Sequence, residues 1–106
     1  MSEFVKVATL EEIQPGTRKL IDFEMVTVAL FNINGQLYCI EDVCTHDGGP
    51  LAEGELNGHV IACPRHGAEF DVRDGRALSM PAVTPAPTYE VKIEGGDVYI
   101  ESPDSW

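Results

Sequence analysis

The sequence predicts a small all-β domain, built as a sandwich or a barrel. Three observations indicate this class: about nine short runs in which apolar and polar residues alternate, breaks at ten glycines and seven prolines, and a length of 106 residues, which suits one domain. Acidic residues outnumber basic ones by 18 to 7, and the formal net charge is −11. Such a charge argues against a protein that binds nucleic acid or an anionic membrane surface.

The first half of the chain contains four expected strands, at residues 4–7, 17–23, 25–33 and 36–41. Thr9 and Glu12 have the spacing of a capping box, but Pro15 soon afterwards limits any helix to about one turn. Asn34 and Gly35 form a strong hairpin signal, because a type I′ turn needs positive φ at both central residues. We therefore expect the third and fourth strands to pair.

The second half continues the pattern with five short runs, at residues 54–56, 59–62, 69–72, 89–94 and 98–101. Asn57 with Gly58 predicts a hairpin between the first two runs, and Asp74 with Gly75 predicts a turn after the third. Three prolines between residues 81 and 87 exclude a central strand there. The regular spacing of these short strands supports one β domain without a linker.

Two predicted loops each contain one cysteine and one histidine: Cys44-Thr45-His46 and Cys63-Pro64-Arg65-His66. A hairpin separates them, so both loops should emerge at the same end of the sheet. Thiolates and imidazoles are ligands of iron and of zinc, so the four side chains could hold one tetrahedral zinc ion or a two-iron cluster. Zinc fingers usually group Cys with Cys and His with His. Here each loop offers one of each, which favours a binuclear centre.

These two motifs, the second followed by Gly67, resemble the ligand boxes of Rieske [2Fe–2S] ferredoxins, and the resemblance extends over almost the whole chain. It implies the Rieske fold, an antiparallel β base with a smaller cluster-binding subdomain at about residues 42–82, within a single domain 1–106. It also implies that Cys44 and Cys63 bind the inner iron and that His46 and His66 bind the outer one. The family's proline-rich loop, which covers the side of the cluster, would correspond to residues 80–85.

The reduction potential depends on the ligand types and on groups near the cluster that respiratory Rieske proteins have and this chain lacks. Two neutral imidazoles in place of thiolates raise the potential above that of all-Cys clusters, into a range of about −150 to +300 mV. Respiratory Rieske proteins have an extra disulfide between the loops and hydroxyl donors to the cluster sulfurs. The corresponding positions here are Gly49, Arg65, Ala68 and Phe70. Because fewer donors stabilise the reduced cluster less, we expect the low-potential end of the range.

The resemblance implies an electron carrier and not an enzyme: the ferredoxin component of a multi-component aromatic ring-hydroxylating dioxygenase. Such a carrier takes electrons from an NAD(P)H-dependent flavin reductase and passes them to the terminal oxygenase through the edge formed by His46 and His66. Three alternatives stay open at this stage. The chain could be the small subunit of an NAD(P)H nitrite reductase-like complex, a zinc-stabilised binding module, or a redox protein that serves cluster assembly or another class of oxygenase such as a monooxygenase.

Other residues have simpler expected roles. Cys39 alternates with Leu37 on a strand and is expected in the core. His59 lies outside both motifs and is expected at the surface. Arg65 is a candidate docking residue, in a face of mixed sign formed by the acidic residues of 41–55 and the arginines of 65–76.

The sequence also suggests where the protein acts. No apolar run approaches the ~20 residues that a membrane-spanning helix needs, and no signal peptide is visible. Three cysteines in a reducing compartment favour metal chemistry over a disulfide framework. We therefore expect a cytoplasmic protein, and a monomer whose docking face stays free.

Overall fold

The fold is that of a computed structural model, which describes residues 3–24, 26–43, 51–64, 67–80 and 84–102. Its ten strands are β1 (Phe4–Thr9), β2 (Arg18–Asp22), β3 (Thr27–Ile33), β4 (Gln36–Glu41), β5 (Leu56–Asn57), β6 (Val60–Ala62), β7 (Glu69–Asp71), β8 (Thr88–Tyr89), β9 (Val91–Glu94) and β10 (Asp97–Glu101). The expectation of an all-β protein is confirmed. Within the described ranges, no helix is long and apolar enough to span a bilayer.

The strands form three antiparallel sheets. The terminal sheet has the order β1-β10-β9, the central sheet has the order β2-β3-β4-β8, and the small sheet has the order β5-β6-β7. The small sheet is made by the part of the chain between β4 and β8, so it is an insertion between two neighbouring strands of the central sheet.

The central sheet separates two apolar cores, because β3 is buried on both faces. Val28 and Leu30 pack with the terminal sheet, whereas Ala29 and Phe31 pack with the small sheet, and none of the four is exposed to solvent. Successive side chains of a strand point to opposite faces of its sheet, so a strand between two cores must be apolar at almost every position. This explains the nearly continuous apolar run in the sequence of β3.

Two hairpins have the turn that their sequence predicts. Asn34 and Gly35, with φ of 55° and 91°, form the two-residue loop between β3 and β4. Gly95 and Gly96 join β9 to β10 in the same way, with φ of 57° and 83°. Positive φ at both central residues identifies type I′ turns, whose twist matches that of the paired strands.

The hairpin within the small sheet is present but is shifted by one residue from its predicted position. Asn57 pairs with Val60, so the two turn residues are Gly58 and His59. Of these two, only Gly58 has positive φ, at 61°, which is the pattern of a type II′ turn with glycine at its first central position. The preceding residues do not extend β5 because Gly54 lies in a turn, where its amide donates to the carbonyl of Leu51 at 3.0 Å.

The capping box near the N-terminus closes a turn and not a helix. The Glu12 carboxylate accepts hydrogen bonds from the Thr9 amide at 2.9 Å and from the Thr9 hydroxyl at 3.2 Å. It also pairs with Lys19 of β2 at 2.8 Å, and this ammonium group, with the Thr9 amide, lowers the pKa of Glu12. The box therefore fixes the chain between β1 and β2.

The predicted strand at 89–94 is divided at Glu90. Thr88–Tyr89 pairs with β4 of the central sheet, and Val91–Glu94 pairs with β10 of the terminal sheet. The chain changes sheets at this residue, and the division joins the two sheets into one structure.

Candidate cluster site

One of the four predicted ligands lies within the described residues. Cys63 directly follows β6, is only 2% exposed and is a free thiol. Cys44, His46 and His66 lie outside the described residues, as does Arg65. Among the residues that are described, no three His, Cys, Asp or Glu side chains are grouped as a metal site. The complete ligand set therefore stays a prediction.

The loop after β6 is closed at its base by two backbone hydrogen bonds. The Cys63 amide donates to the carbonyl of Ala68 at 2.7 Å, and the Gly67 amide donates to the carbonyl of Cys63 at 2.9 Å. Gly67 has φ of 74°, a backbone conformation that residues other than glycine rarely adopt. The backbone of Cys63 is thus fixed between the end of β6 and the start of β7.

The segment with the first motif is held at its two ends by one carboxylate. Asp42 Oδ1 accepts hydrogen bonds from the amides of Leu51 and Ala52, at 2.8 and 2.7 Å. Asp42 itself is placed by its own amide, which donates to the carbonyl of Thr27 in β3 at 2.8 Å. Hydrogen bonds to a charged acceptor are stronger than neutral ones, so this carboxylate sets where the chain returns after the first motif.

The chain that follows the first motif contacts the strand that leads to the second. The amide of Ala62 donates to the carbonyl of Glu55 at 3.0 Å. A Cβ added at Gly54 would lie only 1.7 Å from the carbonyl oxygen of Ala62, so this approach is possible only for glycine. Ala62 directly precedes Cys63. The described residues thus place the chain that follows the first motif beside the strand that leads to the second.

The surroundings of Cys63 are apolar. Its core includes Leu51, Ala52, Ala68 and Phe70, each at most 2% exposed. Ala68 and Phe70 are the positions at which respiratory Rieske proteins would carry hydroxyl groups, and here neither side chain can donate a hydrogen bond. Cys63 is therefore held in an apolar environment at the point where β6 ends and the loop begins.

Cys39 lies in the core, as the sequence predicts, and its position differs from that of Cys63. It is 2% exposed, lies within β4 and belongs to the core against the terminal sheet. Burial raises the pKa of this thiol to about 12, so it stays protonated at neutral pH. Cys39 is a core residue on a strand, whereas Cys63 lies at the start of a loop.

Residues on both sides of the predicted proline-rich loop are bonded to β7 and to the turn that follows it. On one side, the Leu78 amide donates to the carbonyl of Glu69 at 2.7 Å, and the Glu69 amide donates to the Ser79 hydroxyl at 3.1 Å. On the other side, the Ala86 amide donates to the carbonyl of Gly75 at 2.8 Å. Residues 81–83 of this loop lie outside the described residues. The attachments place both ends of the loop on β7 and the turn that follows it.

Two of the arginines predicted for the docking face pair with a carboxylate of the chain itself. Asp71, 3% exposed, accepts a hydrogen bond from the Arg73 guanidinium at 2.7 Å and has Arg76 at 4.0 Å. Hydrogen bonds from Arg73 hold the pKa of Asp71 below its usual value, although burial opposes this. The positive charge of the predicted face is therefore partly neutralised within the protein.

His59 is half-buried, so its predicted surface position is only partly correct. Its ring meets that of Tyr38 edge-on, with centroids 5.6 Å apart and an angle of 86° between the planes. Its carbonyl accepts a hydrogen bond from the Val72 amide at 2.9 Å. These contacts give His59 a structural role between the small and central sheets.

Comparisons with known proteins agree with the fold. The family model of the Rieske [2Fe–2S] domain matches residues 3–90. The chain is 39% identical over 95 residues to the 3-phenylpropionate/cinnamic acid dioxygenase ferredoxin subunit of Escherichia coli (strain K12), covering 89% of each chain. It is 38% identical over 98 residues to ferredoxin CarAc of Metapseudomonas resinovorans, covering 92% of each chain.

A solved structure gives the same result. The ferredoxin of carbazole 1,9a-dioxygenase from Nocardioides aromaticivorans IC177 superposes with a TM-score of 0.85 at 30% identity, covering 92% of this chain and 95% of that one. The expected fold class, the Rieske fold, is thereby confirmed, and so is the expected cofactor. Since ferredoxin components align with this chain along nearly its whole length, the protein belongs to the Rieske [2Fe–2S] family as a one-electron carrier with one cluster, and not as an enzyme.

Proposed function

We propose that this protein carries single electrons from an NAD(P)H-dependent flavin reductase to the terminal oxygenase of an aromatic ring-hydroxylating dioxygenase system. The observation that carries the proposal is the end-to-end match with carriers of such systems, which covers 92% of this chain and 95% of a carbazole dioxygenase ferredoxin. A further supporting match, with a TM-score of 0.87, is to a chain in the complex of reduced oxygenase and oxidised ferredoxin in carbazole 1,9a-dioxygenase.

The proposed ligands are Cys44 and Cys63 for the inner iron, and His46 and His66 for the outer iron. The burial of Cys63 among apolar side chains supports its place at the inner iron, where solvent is excluded. When bound, the cluster supplies reversible one-electron chemistry. The chain supplies two loops, and hydrogen bonds between described residues close the base of each one.

The proposed cluster-binding subdomain comprises about residues 42–82 of the single domain 1–106. Its support is the position of the small sheet, which is inserted between β4 and β8 and packs on one face of β3. In this arrangement the terminal and central sheets form the base. The proline-rich segment then returns the chain from the subdomain to β8.

The proposed reduction potential lies at the low end of the range of about −150 to +300 mV for Rieske centres. The support is that Ala68 and Phe70 are fully buried beside Cys63 and offer no side-chain donor. Without donors to the cluster sulfurs, added negative charge is stabilised less. A potentiometric titration followed by EPR measures the potential directly, and a clearly positive midpoint would contradict this part of the proposal.

We further propose that the carrier is a cytoplasmic monomer that meets its reductase and its oxygenase in turn. The support is indirect: with a net charge of −11 the protein favours basic surfaces on its partners, and like copies repel each other. Sedimentation at low and high protein concentration tests the monomer. A stable dimer at micromolar concentration would rule it out.

The decisive test of the proposed function is an EPR spectrum of the dithionite-reduced protein, with iron, sulfide and zinc measured on the same sample. We expect a rhombic signal of low average g, with two irons and two sulfides per chain, as the [2Fe–2S] family requires. One zinc per chain and no signal would instead make the protein a zinc-stabilised module. Co-purification with a large chain that contains flavin and haem would favour the nitrite reductase-like alternative.

A further inference from the structure

Arg18 reaches from the central sheet to the segment that follows the first motif. Its guanidinium donates hydrogen bonds through Nη1 to the carbonyl oxygens of Ala52 and Gly54, the latter at 2.8 Å. The same group lies over the ring of Phe31, at 5.4 Å from the ring centre. Phe31 is opposite Arg18 in the pairing of β2 with β3, so the guanidinium is supported by its own sheet.

The same segment is held from the other side by Asp42. Asp42 Oδ1 accepts the amides of Leu51 and Ala52, at 2.8 and 2.7 Å. Ala52 is therefore bound through both of its backbone groups, its amide by a carboxylate and its carbonyl by a guanidinium. Two side chains of opposite charge thus fix this stretch of chain, which forms no pairs with a neighbouring strand.

This stretch of chain sets the spacing between the two motifs. Gly54, whose carbonyl Arg18 binds, is packed against the carbonyl of Ala62, and the next residue, Cys63, is a predicted ligand. A shift of Gly54 would therefore change the distance between the return of the first loop and the start of the second. The guanidinium resists such a shift because it binds two carbonyls through Nη1 while its plane is supported by the Phe31 ring.

We propose that Arg18 is a positioning residue for the cluster: it holds the chain after the first motif against the strand that leads to Cys63, and so fixes the relative position of the two ligand loops. The inference rests on the proposed ligand set. It assigns a role in the cluster site to a residue of the second strand, which belongs to the base of the fold and to neither motif.

The test compares Arg18→Gln and Arg18→Lys with a matched control, Lys19→Gln. Lys19 is the next residue of β2, and its substitution removes the same charge. Its contacts, Glu12 at 2.8 Å and the carbonyl of Val7 at 3.5 Å, lie on the opposite side of the strand, towards the terminal sheet. For each purified protein, the EPR line widths and g values are recorded after reduction, and the rate of iron loss to a strong chelator is measured.

We expect Arg18→Gln to lose iron about tenfold faster than the wild type and to broaden the EPR lines, because the ligand loops gain freedom. Arg18→Lys should fall between the two, since lysine keeps the charge but is shorter and lacks the planar group that lies over Phe31. Lys19→Gln should match the wild type in both measurements. Should Arg18→Gln fail to accumulate as folded protein, the comparison of Arg18→Lys with the wild type carries the test.

Two results would overturn the inference. Wild-type EPR lines and a wild-type rate of iron loss in both Arg18 variants would show that the guanidinium does not position the loops. Equal effects of Arg18→Gln and Lys19→Gln would show that Arg18 acts only through its charge. Both results leave the proposed function intact, because they require a wild-type protein that contains the cluster. A wild type without iron would instead contradict the proposed function and, with it, this inference.

Discussion

Gly54→Ala is the substitution whose effect on the cluster site follows most directly from the structure. The added Cβ would lie 1.7 Å from the carbonyl oxygen of Ala62 and 3.2 Å from that of Leu51, whereas real Cβ atoms stay beyond 3.0 Å. The two segments must therefore separate by roughly 1.3 Å. Both contacts are to backbone atoms, so no side chain can rotate to make room.

The cost of this separation has two parts. Overpacking of a buried site costs about 1–3 kcal/mol. The separation also weakens the hydrogen bonds from Ala62 to Glu55, at 3.0 Å, and from Arg18 to Gly54, at 2.8 Å, each of which contributes about 1 kcal/mol. We expect a total loss of about 4 kcal/mol in the free energy of unfolding, and a midpoint temperature lower by about 15 °C.

The assay is thermal unfolding followed by circular dichroism, combined with the iron content of the protein as purified. Gly16→Ala is the matched control: Gly16 has φ of 86°, but nothing lies within 4 Å of its added Cβ. Gly16→Ala should lower the free energy of unfolding by about 1 kcal/mol through backbone strain and keep its full iron content. If Gly54→Ala were as stable as this control and retained all its iron, the close approach of the two loop segments would be wrong.

Three further predictions concern single contacts and the partner. Asp71→Asn should lower the free energy of unfolding by about 2 kcal/mol at neutral pH, because charge-assisted hydrogen bonds from Arg73 are lost. Because Arg73 lowers the pKa of Asp71, this contribution is complete above the usual carboxyl pKa of 3.8 and is lost as pH falls through the lowered value. In urea unfolding, the stabilities of wild type and variant should therefore converge in acid. A difference that stays constant with pH would refute the pairing. Cys63→Ser should abolish the visible absorption and iron content, while Cys39→Ala should keep both and cost about 1 kcal/mol; a coloured Cys63→Ser protein would exclude Cys63 as a ligand. Higher ionic strength should slow electron transfer to the oxygenase, measured by stopped flow, and rates independent of salt would contradict electrostatic docking.

The sequence predicts the sheets well because their signals are local. Alternation of apolar and polar residues marks the strands, and Asn34 with Gly35 marks a hairpin that the structure reproduces with positive φ at both residues. The hairpin at Gly58 is shifted by one residue because a single glycine satisfies either a type I′ or a type II′ turn. The division at Glu90 has no local signal, since both flanking segments are apolar enough to be strand.

The candidate site is predicted only in part, because its motifs are local and its supports are not. The spacing of Cys63 and His66 predicts a metal ligand, and the burial of Cys63 agrees with that role. Arg18 and Gly54 give no such signal. Their importance comes from contacts with residues distant in sequence. In the sequence they are ordinary residues of two predicted strands, 17–23 and 54–56.

Charged side chains bind backbone groups on both sides of the central sheet. Towards the terminal sheet, Glu12 accepts a hydrogen bond from the Thr9 amide and Lys19 donates to the carbonyl of Val7, beside strands that pair and pack through apolar side chains. On the other face, the chain around the motifs runs in loops, and loop backbone groups need partners from side chains when they are buried. Asp42 supplies an acceptor for two amides, and Arg18 supplies donors for two carbonyls. In a protein with a net charge of −11, some charged side chains thus bind the backbone beside the predicted cluster loops and are not available to solvent or partners alone.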